Sequence, residues 1–162
     1  MAESILSLCS LFEEIEETMA RLYEEMAITF AEEADAAALF ARLAKEEAGH
    51  KLSVQLERRI IKQNPKIYDG REINAEEAKS ALKAAKELKR NLRGLPLGEA
   101  VSRVVALEES GAEQHCKGLS DQLPPALGRL LANLHAGDKA HREALENFAR
   151  KRGFIKPEQA PS

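Results

Sequence analysis

The sequence predicts an all-α protein built as a four-helix bundle, in which a long crossover carrying an extra helix joins the second and third helices. Three observations predict it. Ala, Glu, Leu, Lys and Arg dominate the composition, and these are helix formers. Apolar residues recur every three or four positions through four long segments, and no stretch alternates with the two-residue period of a strand. Pro65, Pro96, Pro124 and Pro125 fall between those segments, where a residue that cannot continue a helix belongs.

The first helix carries Leu8, Phe12, Ile15, Met19, Leu22, Met26 and Phe30 on one face. Ser10-Leu11-Phe12-Glu13 fits a capping box, but Leu8 already lies on the stripe, which moves the start back toward Ser4. The acidic stretch Glu32 to Asp35 breaks the pattern, with Asp35 placed to cap the second helix. That helix has Ala36, Phe40, Leu43, Val54 and Ile61 on its stripe and ends at Gln63-Asn64-Pro65. A loop from Lys66 to Ile73 contains the turn signal Asp69-Gly70. An extra helix follows from Asn74, its N-cap, to Leu92, with Ala78, Leu82, Ala85, Leu88 and Leu92 in line. This stripe must be covered either by the bundle or by a second copy of the chain, and a homodimer is expected on that ground.

After the break Gly94 to Gly98, the third helix carries Leu97, Val101, Val104 and Leu119, with Leu123 near the edge and Pro96 suited to its first turn. Pro124-Pro125 ends it and opens the fourth, which carries Leu127, Leu131, Leu134, Leu145 and Phe148 and stops at Gly153. The domain organisation is therefore a single domain over residues 1–155, with the crossover at 66–95 and a loose tail at 156–162.

At 162 residues the chain suits one domain with a sizeable core. A formal charge of −3 gives no electrostatic reason to expect nucleic acid or an anionic membrane as partner. With an aromatic share of 4% and no Trp, base-stacking platforms are not expected. No apolar run approaches the roughly 20 residues of a membrane span, and the N-terminus lacks the pattern of a signal peptide. Cys9 and Cys116 form no Cys-x-x-Cys, so they read as reduced thiols of a cytoplasmic protein in preference to a disulfide.

The polar residues on the stripes carry the chemistry. Each residue of a helix turns by about 100°, so Glu47 falls about 20° from the centre of the second stripe and Glu46 about 80° from it. Glu108 lies about 10° from the centre of the third stripe, and Asp138 and His141 both lie within about 50° of the centre of the fourth. On the first helix Glu16 comes closest, about 70° off. Glu47 with His50, and Asp138 with His141, each put a carboxylate and an imidazole three residues apart on one helix face. Two such pairs, plus one carboxylate from each of two further helices, form the ligand set of a di-metal site in a helix bundle. Burying unpaired carboxylates together is costly, and two divalent cations remove that cost. The alternative is a buried network with Arg58, Arg152, Lys51 or Arg142. Arg58 and Arg152 lie roughly 16 Å or more from the acids along the axis, and Lys51 and Arg142 sit at stripe edges. His115, two turns after Glu108, is either an additional or supporting ligand or a packed core histidine. His135 sits at a stripe edge.

These residues resemble the ferritin-like superfamily and, within it, the rubrerythrin-type di-iron domain. Glu16 precedes Tyr23 by seven, Phe40 precedes His50 by ten, and Leu131 precedes His141 by ten. Glu99-Ala100 opens the third helix and Glu108 follows nine after Glu99. The intervals Glu16 to Glu47 (31) and Glu108 to Asp138 (30) make the two halves read as a repeat. The chain departs from the family pattern in four ways. Asp138 stands where Glu is usual, His115 where the repeat predicts an aromatic, and Gly111 where some members carry a further carboxylate. No Cys-x-x-Cys supplies a rubredoxin-type iron domain.

The resemblance implies a ferritin-like four-helix bundle with two iron ions, with manganese or zinc also suited to carboxylate and imidazole ligands. It implies Glu47 and Glu108 as bridges, Glu16 and Asp138 as terminal carboxylates, His50 and His141 as one imidazole per metal, and Tyr23 hydrogen-bonded to a carboxylate. The activity implied is oxidation of Fe(II) with reduction of hydrogen peroxide or dioxygen, drawing on an unidentified electron donor. A ferroxidase that handles iron and a non-catalytic helical module are the other readings.

Overall fold

Helix α1, Ile5–Thr29, starts where the apolar stripe places it and not at the capping box: the Ser4 hydroxyl accepts a hydrogen bond from the Ser7 N–H at 3.1 Å. The computed structural model describes residues 2–68, 73–116 and 123–155, with the backbone alone for 2, 3, 67, 68 and 112–116. Leu8, Phe12, Ile15, Met19, Leu22 and Met26 are buried as the stripe requires, while Phe30 lies just beyond the helix end and is only partly covered.

Helix α2, Ala34–Gln63, begins one residue before Asp35. Asp35 is therefore inside the first turn and not at the cap; its carboxylate accepts from the neighbouring Ala36 N–H at 2.9 Å, at the positive end of the helix dipole. Beyond Asn64 the chain does not pass straight into a loop. Pro65, with its φ already set for a helix, opens the single turn α3, Pro65–Tyr68. The Asp69-Gly70 turn signal lies outside the described residues. A two-residue antiparallel pairing joins β1, Ala2–Glu3, to β2, Ile73–Asn74, where no strand is expected from the sequence. It is too short to show an alternation.

Helix α4, Glu76–Asn91, begins where the Asn74 side chain accepts from the Glu76 N–H at 3.0 Å, and it runs into a 3-10 turn at Leu92–Gly94. Glu76 and Glu77 open it and Lys89 and Arg90 close it, which suits the helix dipole at both ends. Helix α5, Leu97–Cys116, follows Pro96, and the second part of its predicted stripe, at Leu119, lies outside the described residues. Helix α6, Pro125–Lys151, has Pro125 in its first turn. It ends as predicted at Gly153, whose φ of 72° is the left-handed value glycine adopts freely. Phe154 N–H bonds to Ala149 O at 2.9 Å and Gly153 N–H to Arg150 O at 3.1 Å, a complete Schellman cap.

Helices α1 and α2 pack as one hairpin and α5 and α6 as another, and the hairpins meet along α2 and α6. On the other side α4 lies against both α1 and α5, burying Ala78, Leu82, Ala85 and Leu88. Each fully buried Leu contributes about 1.5–3 kcal/mol, which explains why this stripe is held in the chain. The stripe on which a homodimer was expected is therefore already covered. The exposed large apolar residues of α2 are instead Leu52, Leu56 and Ile60. At one end of the core Phe40 packs against Tyr23, Phe30 and Phe148, with ring centroids 6.2 to 6.5 Å apart. Among the described residues no helix is long and apolar enough to cross a membrane. Cys9 is buried and free.

Candidate metal centre

All six residues singled out by the helical spacing converge in the interior. Glu16 comes from α1, Glu47 and His50 from α2, Glu108 from α5, and Asp138 and His141 from α6. Glu16, Glu47, Glu108, Asp138 and His141 are each no more than 4% exposed, and His50 is half-buried with one edge toward solvent. Their convergence follows from the Glu-x-x-His spacing on α2 and the Asp-x-x-His spacing on α6, each of which aims two side chains from one helix face at one point.

Glu47 is the centre of the arrangement. Its Oε2 lies 3.0 Å from His50 Nδ1 and its Oε1 lies 3.0 Å from His141 Nδ1. His50 Nδ1 is also 3.4 Å from Glu16 Oε2, and His141 Nδ1 is 3.5 Å from Glu108 Oε1. The donors thus sort into two halves about Glu47, Glu16 with His50 and Glu108 with His141. The imidazole rings stack with centroids 5.3 Å apart. Two sets, Glu47 with His50 and His141, and Glu47 with Glu108 and Asp138, each bring one ligand atom per residue within 4.8 Å of the others, close enough that each could hold a metal ion. Glu47 belongs to both sets.

The electrostatics show how much this cluster strains to hold its charges. Burial pushes the Glu16 carboxyl well above its ordinary range, and the neighbouring Glu47 adds to the shift. Burial and Glu47 likewise push Glu108 up to about 8. Burial would raise Glu47 too, but hydrogen bonds from His141 and His50 hold it at about 2. Burial alone would lower both imidazoles. Hydrogen bonds to Glu16 and Glu47 instead raise His50 to about 10, and those to Glu108 and Glu47 raise His141 to about 11. Protons therefore do the neutralising that cations would otherwise do. The four basic side chains that could have formed a buried network have their nearest ion pairs with other carboxylates, although Arg142 Nε, buried, makes no hydrogen bond. Arg58 pairs with Glu13 at 2.6 Å, Lys51 with Glu17 at 3.4 Å, Arg142 with Glu146 at 3.8 Å, and Arg152 with Glu33 and Asp35.

Glu16 is the surprise among the predicted ligands. A straight-helix rotation puts it at the edge of its stripe, yet it is 2% exposed. Because α4 covers α1 on a second side, the buried face of α1 is wider than its apolar stripe and takes in Glu16 and Thr18. Tyr23 is buried and donates its hydroxyl to Glu108 Oε1, as the resemblance implies. His115 lies outside the residues whose side chains are described. His135 is half-buried at the surface of α6.

Two participants escape the stripe reading. Glu46, half-exposed, sends Oε2 to within 2.9 Å of His141 Nε2, while His141 Nδ1 faces the carboxylates. It thereby orients the imidazole from behind, a role that no helical period reveals because it depends on where α6 lies against α2. Gly137 is the second. A methyl group there would lie 2.5 Å from His50 Nε2, so the absence of a side chain on α6 makes room for the ring. Gly111 acts similarly on a smaller scale: a methyl there would lie 3.2 Å from Asp138 Oδ2.

No protein-family model, no curated protein and no solved structure matches the chain. What the structure shows, among the described residues, is a helical fold with one two-residue strand pair, whose interior holds buried Glu, Asp and His side chains that could bind a metal ion.

Proposed function

We propose that the protein is a di-metal carboxylate protein of the ferritin-like, rubrerythrin-type class, binding two iron ions and oxidising Fe(II) with reduction of hydrogen peroxide or dioxygen. The observation that supports this best is Glu47, which turns one oxygen to each of two histidines at 3.0 Å and stands between two further carboxylate groups. Glu16, His50 and Glu47 would hold one ion, and Glu47, Glu108, Asp138 and His141 the other. Nitrogen and oxygen donors suit iron, manganese and zinc. Two bound Fe(II) supply two electrons, which with two protons turn one hydrogen peroxide into two waters or one dioxygen into one hydrogen peroxide.

The chain's own residues prepare the site. Glu46 orients His141 through Nε2, leaving Nδ1 for the metal. Tyr23 donates to Glu108 and fixes that carboxylate. The core around Tyr23, Phe40 and Phe148 excludes water on one side. Anaerobic titration of the metal-free protein with Fe(II) tests the proposal: two ions per chain are expected, with release of protons as the imidazoles are taken up. Protein that takes up no Fe(II), Mn(II) or Zn(II), and whose melting temperature ignores all three, would sink it in favour of a purely structural helical module.

A further inference from the structure

Between α1 and α4 runs an open groove of about 510 Å³ that includes none of the candidate metal ligands. Two buried residues, Thr18 and Leu82, form its floor. Every other side chain that lines it is a cation: Arg21 of α1, and Lys79, Lys83, Lys86, Lys89 and Arg90 of α4. The chain as a whole carries a formal charge of −3, so this concentration does not come from composition. Lys79, Lys83, Lys86 and Arg90 follow one another by four, three and four residues, which sets them in one ridge about 16 Å long. Like charges at these spacings repel and weaken a helix, whereas a face that is merely solvated can alternate its signs. The acids of α4, Glu76, Glu77 and Glu87, do not line the groove.

Four of the six cations have partners outside the groove. Arg21 pairs with Glu17, Lys79 with Glu76, Lys86 with Glu14 and Lys89 with Glu25, at 2.5 to 3.5 Å. These pairs are solvent-exposed and therefore weak, so a more highly charged anion can displace them. Lys83 and Arg90, both exposed, have no ion pair or hydrogen bond among the described residues. Ammonium and guanidinium groups bind phosphate oxygens through charge-assisted hydrogen bonds, and a ridge of them suits charges set in a row. The volume is that of a small-molecule site, and no aromatic side chain is present on which a base could stack. We propose that this groove binds a small molecule carrying a linear chain of phosphates, the chemistry shared by inorganic triphosphate and a nucleoside triphosphate. Lys83 and Arg90 are its principal contacts, and a base adds nothing to binding. The site is independent of the di-metal function proposed above.

The test is titration calorimetry on the full metal-free chain at low salt, with inorganic triphosphate in one arm and adenosine triphosphate in the other. Each should bind once per chain with similar affinity, and binding should weaken as salt is raised. Amide NMR shifts should be largest at Thr18, Arg21 and residues 79–90. The double variant Lys83→Gln with Arg90→Gln should bind triphosphate about tenfold more weakly or worse. Arg103→Gln with Arg129→Gln removes the same charge from exposed positions outside the groove and should bind like wild type. All four residues are exposed, so both variants should melt with the wild type when no phosphate is present. No saturable binding to the wild type, or equal losses in the two double variants, overturns the proposal. So does adenosine triphosphate binding more than about tenfold tighter than inorganic triphosphate, which would mean that the base is recognised. Tighter binding of a poly-glutamate peptide or a short DNA duplex would overturn it in favour of a macromolecular partner. Iron uptake by the same protein is a separate reading: its failure would sink the di-metal function and leave this site standing.

Discussion

Gly137→Ala and Gly49→Ala form a matched pair that isolates one ligand. Both glycines lie inside long helices, so each substitution should stabilise its helix by about 0.8–1.0 kcal/mol through propensity alone. At Gly49 the new methyl meets nothing within 4 Å and that gain stands. At Gly137 the methyl would lie 2.5 Å from His50 Nε2, far inside contact distance, and the ring must leave. The His50 side chain is 20% exposed, so the ring is expected to move in preference to the backbone. What it loses is its contact with Glu47 at 3.0 Å and with Glu16 at 3.4 Å. A hydrogen bond to a charged group contributes about 1.5–3 kcal/mol, so the metal-free Gly137→Ala protein should be less stable than Gly49→Ala by about that amount. Urea denaturation at neutral pH measures the difference, provided both variants share one slope. Anaerobic metal titration gives the second reading. Gly49→Ala should bind like wild type, whereas Gly137→Ala should lose one of two ions or bind it more than about tenfold more weakly. Equal stabilities together with unchanged metal binding in both variants would show that His50 does not hold the site as the structure places it.

Three further outcomes follow from the same residues. In the metal-free protein the pKa shifts point one way near neutrality. The folded state holds protons on His50, His141, Glu108 and Glu16 more tightly than the unfolded chain does, so their contribution is full below the unfolded values of 6.5 and 4.5 and is lost as pH rises through the folded ones. Glu47 acts oppositely, its contribution being lost only as pH falls toward about 2. The melting temperature of the metal-free protein should therefore fall steadily from about pH 5 to about pH 9, and a rise across that window would contradict the assignment. Glu46→Ala should weaken metal binding by about 10- to 100-fold by freeing the His141 ring, and should cost the metal-free protein about 1.5–3 kcal/mol through loss of its 2.9 Å bond to that ring; its exposed pairing with Arg42 adds little. Ser4→Ala should cost about 1 kcal/mol in chemical denaturation through loss of the α1 cap and leave metal binding untouched.

The sequence by itself determined the helices and most of the candidate ligands, because both are local properties. A 3.6-residue period fixes which side chains share a face, so Leu8 to Met26 on α1 and Ala36 to Ile61 on α2 could be placed in the core, and Glu47, Glu108, Asp138 and His141 placed among them. The Gly153 cap was legible for the same reason, since it needs only a glycine at the right step after the stripe. What covers each face is not local. Glu16 looked marginal because nothing in α1 announces that α4 will pack along its second side. The α4 stripe looked free to bind another copy because its period does not say that α1 and α5 receive it. Glu46 reaches His141 across 95 positions of sequence, and Tyr23 reaches Glu108 across 85. Gly137 matters only because the His50 ring arrives beside it from another helix. These contacts are set by how the helices lie against one another, and that arrangement is decided by packing the whole core at once, which only the tertiary structure records.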